Sequence, residues 1–262
     1  MRIALISNWG ASNCGVANFG RDFLTALQQA GHEVLASAWR DPRDLPVDRV
    51  LVNWDSGTLP HDASTLHDLA TLFVHHHYRG EPSPLPSAPH LLLSPIKGYG
   101  HYFPYPVPLT NGHAVDPMPR TLGVTTLRRQ GVDYLQQATR ACGWTLCPPD
   151  RWRDTPEEVE RLRSCAALAL WYSDSQGRSL ALATALAARR PLLLSRCPSM
   201  FEQAWEDPGV YWADHAHRIE PIVERLRQID QDLQQGQTVL PISTTWTWPS
   251  AVAALIRLWE AA

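Results

Sequence analysis

Several things are scarce in this sequence, and each scarcity removes a class of protein. Lysine occurs once, at Lys97, in a chain of 262 residues. Positive charge therefore rests on arginine, and a phosphate contact here would be a planar guanidinium fork rather than a compact ammonium. No stretch reaches the ~20 consecutive apolar residues of a membrane-spanning helix. Met1 to Ser7 meets polar Asn8 at once, whereas a secretory leader needs a longer apolar segment, so the expected location is the cytoplasm. The five cysteines, Cys14, Cys142, Cys147, Cys165 and Cys197, form no CxxC pair, which speaks against a zinc ribbon or a disulfide framework. No GxGxxG follows the first apolar run, so a dinucleotide-binding enzyme is weakly supported. Excess charge is also missing: 23 Lys+Arg against 26 Asp+Glu leave a net charge of -3. That argues against a broad duplex-binding surface but leaves room for a local arginine patch. What is present is core material. With 44% apolar residues the chain can bury one core or two small ones, and it is too apolar to be disordered.

The apolar pattern alternates between short runs and helical spacing. Arg2 to Ser7 reads as a buried strand, and a loop of small and polar residues follows to Gly15. From Val16 to Ala30 the apolar positions Val16, Phe19, Phe23, Leu24 and Leu27 fall at helical spacing, and Gly31 stops the helix. Further strands are expected at Glu33 to Ala38, Arg49 to Asn53 and Leu72 to His76, with a helix around Ala63 to Ala70. Glu81 to Pro119 is Pro-rich and reads as irregular chain around one strand, His90 to Ser94. A second alternation begins at Thr121. It has strands at Thr121 to Thr125, Trp144 to Cys147, Ala166 to Tyr172 and Pro191 to Ser195. Its helices are Gly131 to Cys142, a segment N-capped by Thr155, Ser179 to Ala188, Arg218 to Gln235 and Pro249 to Ala262. Strand–helix alternation of this kind is the mark of parallel sheets wrapped by helices. The expectation is two α/β domains, 1–118 and 119–262, the second closed by the C-terminal helix.

The order of these elements, with the residues at their ends, resembles a known family. Asn13-Cys-Gly-Val-Ala-Asn-Phe-Gly-Arg21 leads into a helix ending in Gly31-His-Glu-Val34. Val74-His-His-His-Tyr78 ends a strand, and Gln130-Gly-Val-Asp-Tyr-Leu135 opens a helix of the second half. Gln176-Gly-Arg-Ser179 precedes Thr184-Ala-Leu-Ala-Ala-Arg-Arg-Pro191, and Trp246 to Trp259 closes the chain. Together they resemble, in shortened form, a GT-B glycosyltransferase of the large retaining, nucleotide-sugar-dependent group. The resemblance implies two Rossmann-like α/β domains facing across a cleft, the first on the acceptor side and the second on the donor side. It implies a nucleotide-diphosphate sugar as donor substrate, no other cofactor and no metal.

The resemblance also implies roles for particular residues. Cys14 and Gly15 stand in the first loop, where a glycine lets backbone N–H groups approach a phosphate at a helix start. The family has an Arg and a Lys in the first loop of the second domain, and these positions read Val124 and Gln130 here. Arg128 and Arg129 are the candidates to supply the charge. Two family acids, eight residues apart, read Gln176 and Thr184. Both can still hydrogen-bond sugar or ribose hydroxyls, but neither offers a carboxylate. Gly177, Arg178 and Ser179 complete the expected donor cradle. His75 and His76, at a strand end where the family has a single His, are the catalytic candidates. Adjacent strand residues point apart, which disfavours a metal site on the His75–His77 run.

The aromatic run Gly98 to Pro106 supplies Tyr99, His101 and Tyr102 as acceptor-binding candidates. Aromatic rings pack on sugar faces and on nucleobases alike, so the acceptor hydroxyl could belong to a small glycan or to a modified base in phage-type DNA. Two readings stay open. One is a glycosyltransferase; the other is a catalytically degenerate scaffold that binds a nucleotide sugar or nucleic acid, favoured by the lost acids and lysine.

Overall fold

The computed structural model describes residues 1–9, 15–37, 46–54, 72–75, 90–92, 101–102, 106–108, 116–125, 131–151, 153–172, 180–197, 200, 204, 207–214, 217–238, 240–241 and 246–261. The chain divides into two compact units, Met1–Pro106 with Trp246–Ala262, and Val107–Thr245. No helix among the described residues is long and apolar enough to cross a membrane.

The first unit is built on β1 (Arg2–Ile6), β2 (Glu33–Ser37), β3 (Arg49–Trp54), β4 (Leu72–His75), β5 (His90–Leu92) and β6 (His101–Tyr102). These pair in the order β2-β1-β3-β4-β5-β6, and every ladder is parallel. Helix α1 (Gly15–Gln29) connects β1 to β2. Its apolar spacing puts Phe19, Phe23 and Leu27 in the core with Ile3, Leu5, Ile6 and Leu51, all fully buried. The short β6 falls inside the aromatic segment that the sequence suggested was irregular. A two-residue strand has no measurable periodicity, so its pattern could not announce it.

The second unit holds β7 (Met118–Val124), α2 (Val132–Cys142), β8 (Thr145–Cys147), α3 (Thr155–Arg163), β9 (Cys165–Leu170), α4 (Leu180–Ala188), β10 (Leu192–Ser195), β11 (Val210–Ala213) and α5 (Glu220–Gln234). Its sheet runs β11-β10-β9-β7-β8 and is again parallel throughout. The central strand β9 is buried along its whole length, so it reads as a continuous apolar run. Leu168 and Leu170 pack into one layer with Leu186, Leu192 and Leu194. Ala167 and Ala169 face the other layer with Leu122, Leu135, Leu193 and Leu226. Strand β11 was not expected, because Val210-Tyr-Trp-Ala213 is short and lies at the sheet edge.

Two details differ from the sequence expectation. Helix α3 is capped by Asp154, whose carboxylate accepts from the Glu157 N–H at 2.9 Å, so Thr155 is the first helical residue rather than the cap. The last helix, α6 (Trp248–Ala261), packs with the first unit instead of closing the second half, and the units divide near residue 106 rather than 118. The reason is a ring cluster: Trp248 sits 5.2 Å from Phe19 and 5.2 Å from Phe23, centroid to centroid. The matching apolar face belongs to α1, which is distant in sequence.

Candidate functional site

Both sheets share one topology. Counted along each unit, the second, first, third, fourth and fifth strands lie side by side. In such doubly wound sheets ligands bind beyond the carboxyl ends of the strands, at the point where the order reverses, here between β1 and β3 and between β7 and β9. The site residues were therefore sought at those strand ends.

In the first unit the reversal point is tied together by Asn53. Its amide donates to Ser7 Oγ at 2.9 Å and to the Val16 carbonyl at 2.8 Å. Ser7 and Asn53 are buried. Gly20 allows this closeness, since a Cβ there would lie 2.6 Å from Ser7 Oγ. The start of α1 is thereby fixed over the ends of β1 and β3. Gly15, its first residue, has open space where a Cβ would go. No neighbour among the described residues demands glycine there. Arg21 lies two turns further, its Nη1 donating to Asn18 Oδ1 at 2.8 Å. Cys14 lies outside the described residues.

Further along the same carboxyl edge the register aligns Trp54, His75, Leu92 and Tyr102 in one row across β3, β4, β5 and β6. Register partners in a parallel sheet share a face, and neighbouring strands are ~4.8 Å apart. Candidates His75 and Tyr102 therefore occupy the same face of one edge. His101, one residue earlier on β6, takes the opposite face. Trp54 was missed by sequence reasoning: only the pairing of β3 with β4 puts it beside His75. His76 and Tyr99 lie outside the described residues.

In the second unit β7 ends at Val124, and Arg161 locks that end. Its guanidinium donates to the Val124 carbonyl at 2.7 Å and the Cys147 carbonyl at 3.1 Å, and pairs with Glu158 through Nε at 2.9 Å. Burial works against the Arg161 charge, but the Glu158 carboxylate outweighs it and raises the pKa. This arginine is committed to the fold. Beyond β9, the Tyr172 N–H donates to the buried Ser195 Oγ at 2.9 Å, joining the ends of β9 and β10. Gly131, before α2, has φ 81°, and a Cβ there would meet Trp171 Cδ1, so both conformation and contact require glycine. Gly131, as the residue capping α2, has no side chain to bond the first turn as Asp154 does for α3. Thr125, just past β7, keeps its hydroxyl oxygen out of solvent with no hydrogen-bond partner among the described residues.

Of the donor-side candidates, Arg128, Arg129, Gln176, Gly177, Arg178 and Ser179 lie outside the described residues. Thr184 is described: it is buried on α4 and its hydroxyl donates to the Leu180 carbonyl at 2.9 Å. Its lone pairs remain its only means of binding a ribose hydroxyl. Among the described residues no group of three His, Cys, Asp or Glu is placed to hold a metal ion.

Two parallel sheets of this order over the whole chain define the GT-B fold, shared with glycosyltransferases. The chain is similar to Anabaena HepE solved with UDP and glucose, at TM-score 0.58 and 9% identity over 100% of both chains. It is similar to sucrose-phosphate synthase from Thermosynechococcus elongatus, at TM-score 0.60 and 12% identity over 100% of this chain and 98% of that one. A third likeness is to an alpha-glucosyltransferase in complex with UDP and a 13-mer DNA, at TM-score 0.58 and 12% identity over 90% and 92% of the two chains. No family model matches the sequence, and no curated protein matches it.

Proposed function

We propose that the protein is a glycosyltransferase that moves a sugar from a nucleotide-diphosphate donor to an acceptor hydroxyl, with retention of configuration and without a metal. The observation that carries this reading is the likeness over the full length of both chains to a structure holding UDP and glucose. Two features of the fold support it. Helix α1 starts at Gly15 by one strand-order reversal and α2 starts after Gly131 by the other, and a helix start offers positive potential to a leaving diphosphate. The Trp54–His75–Tyr102 row gathers a proton-carrying group and two aromatic residues on one edge, as an acceptor ring with a reactive hydroxyl requires. The acceptor is a small glycan or a hydroxylated base. The DNA in the alpha-glucosyltransferase complex supports the base, and the net charge of -3 supports the neutral glycan.

The second reading is a binding protein on the same scaffold. It is favoured by Gln176 and Thr184, where the resemblance leads one to expect acids, and by the engagement of the Thr184 hydroxyl with its own helix. One experiment separates the two. The purified chain is melted with UDP, GDP, ADP and their glucose conjugates, and release of nucleoside diphosphate is followed with and without EDTA. The enzyme reading expects a raised Tm with one nucleotide and release that EDTA leaves unchanged. A raised Tm without release supports the binding protein. Absence of both overturns the two readings together. Saturation at a hundred times Kd corresponds to about 2.7 kcal/mol of stabilisation, well within reach of a melting curve.

A further inference from the structure

We infer that Cys147 is an oxidation site and that a hydroperoxide converts Cys147 and Cys165 into a reversible disulfide within the second unit. The inference goes beyond the glycosyltransferase reading and does not depend on it. Cys147 ends β8, Cys165 begins β9, and β7 runs between those two strands. Thiols on strands so placed are ordinarily kept apart by the side chain of the strand between them. Here that side chain is missing. Gly123 of β7 is the register partner of Cys147. A Cβ on Gly123 would lie 2.9 Å from Cys165 Sγ and 3.2 Å from Cys165 Cβ. Cys165 therefore stands over β7 itself, in the space a side chain of Gly123 would fill, and its thiol meets that of Cys147 in a side-chain hydrogen bond. Both face one layer: Cys165 belongs to the buried cluster with Leu168 and Leu170, and Cys147 packs against it. What separates the two is about one strand spacing, ~4.8 Å, against the ~3.5–4.5 Å between Cβ atoms across a disulfide. Strand β8 lies at the sheet edge, so a small shift of its end closes the difference.

The two thiols have different parts in the chemistry. Cys147 is half-buried and Cys165 is buried, so the oxidant reaches Cys147 first. The Cys147 sulfur takes one oxygen from the hydroperoxide and becomes a sulfenic acid, and with hydrogen peroxide the other product is water. The Cys165 sulfur then attacks the sulfenic sulfur. The S–S bond forms, the S–O bond breaks, and the Cys165 thiol proton leaves with the hydroxyl as a second water. A dithiol reductant restores both thiols. Once linked, the sulfurs close a loop around α3, the helix that carries Arg161 and through it holds the ends of β7 and β8.

The test treats the full chain with hydrogen peroxide at neutral pH, alkylates the remaining thiols, and maps the digest by mass spectrometry with and without dithiothreitol. The expected product is the Cys147 peptide joined to the Cys165 peptide, lighter by two hydrogens and separated by dithiothreitol. The oxidised chain is expected to melt several degrees higher, because the link restricts the unfolded chain. Cys165→Ser is expected to leave Cys147 as a sulfenic acid that dimedone captures, and Cys147→Ser to give neither the link nor a dimedone adduct at Cys165. A parent in which both cysteines stay reduced, or in which either joins a different cysteine, overturns the inference. So does a Cys147 that proceeds to sulfinic acid beside an unlinked Cys165. The parent map decides the matter even where neither variant folds.

Discussion

Asn53 and Ser7 are joined by a 2.9 Å hydrogen bond, and the same Asn53 amide reaches the Val16 carbonyl at 2.8 Å. One buried side chain thus holds the end of β1, the end of β3 and the first turn of α1 in a fixed relation. Replacing Asn53 by leucine keeps the volume and leaves the buried Ser7 hydroxyl without its partner, while the Val16 carbonyl lies within α1 and keeps its helical bond. Stability should fall by about 1–3 kcal/mol. Chemical denaturation of Asn53→Leu measures this. A loss below about 1 kcal/mol would show that water replaces the amide and that the strand ends are not closed by it.

His75 gives a kinetic prediction. It ends β4 in the row that holds Trp54 and Tyr102. His75→Ala should lower turnover by ~10²–10⁴-fold, the range for a positioned acid or base, and leave nucleotide affinity near that of the parent. Steady-state rates beside calorimetric titration distinguish the alternatives. Unchanged turnover with weakened nucleotide binding would move His75 to the donor side.

Cys165 gives a prediction for alkaline pH. Burial, the neighbouring Cys147 and their mutual contact push its thiol from the ordinary 9.0 up to about 11, against the lowering effect of Arg161. The unfolded chain therefore loses this proton near pH 9, while the folded chain keeps it to about pH 11. The contribution is complete below pH 9 and is lost as pH rises through that window. Tyr211, raised by burial and by its bond to Asp232, steepens the same slope at higher pH. Denaturation at pH 8, 9 and 10 should show stability falling in the parent and falling less in Cys165→Ala. Equal slopes would mean that the thiol titrates normally. The same burial predicts that Cys165 does not react with thiol reagents at neutral pH until the chain unfolds.

What could be read from the sequence follows physical range. Strands such as β1 and β9 and helices such as α1 announce themselves through local periodicity, and the two-fold repetition of strand and helix pointed to the GT-B architecture. His75 was legible as a strand end and Thr155-Pro156 as a helix start within one residue. Trp54 was not, because its partnership with His75 depends on β3 and β4 lying side by side, which 17 intervening residues conceal. The Asn53–Ser7 bond was hidden for the same reason, across 46 positions. That the Thr125 hydroxyl has no partner among the described residues is likewise something no pattern in a sequence displays.

The last helix tests long-range packing most directly. By sequence it follows the second half, yet Trp248 packs between Phe19 and Phe23 of α1, with Ala251, Val252, Leu255 and Trp259 buried on the same stripe. Helical spacing makes that stripe one face, and the aromatic pair on α1 gives it a complement. Trp248→Ala should therefore cost ~3–5 kcal/mol, the range for emptying a large aromatic site. The loss should be local. Amide hydrogen exchange should accelerate in α1 and β1 and stay at parent rates in α5 and β10, because those belong to the other compact unit. Peptide-resolved exchange on Trp248→Ala checks this. Acceleration centred on α5 would return the helix to the second half, where its place in the sequence first suggested it.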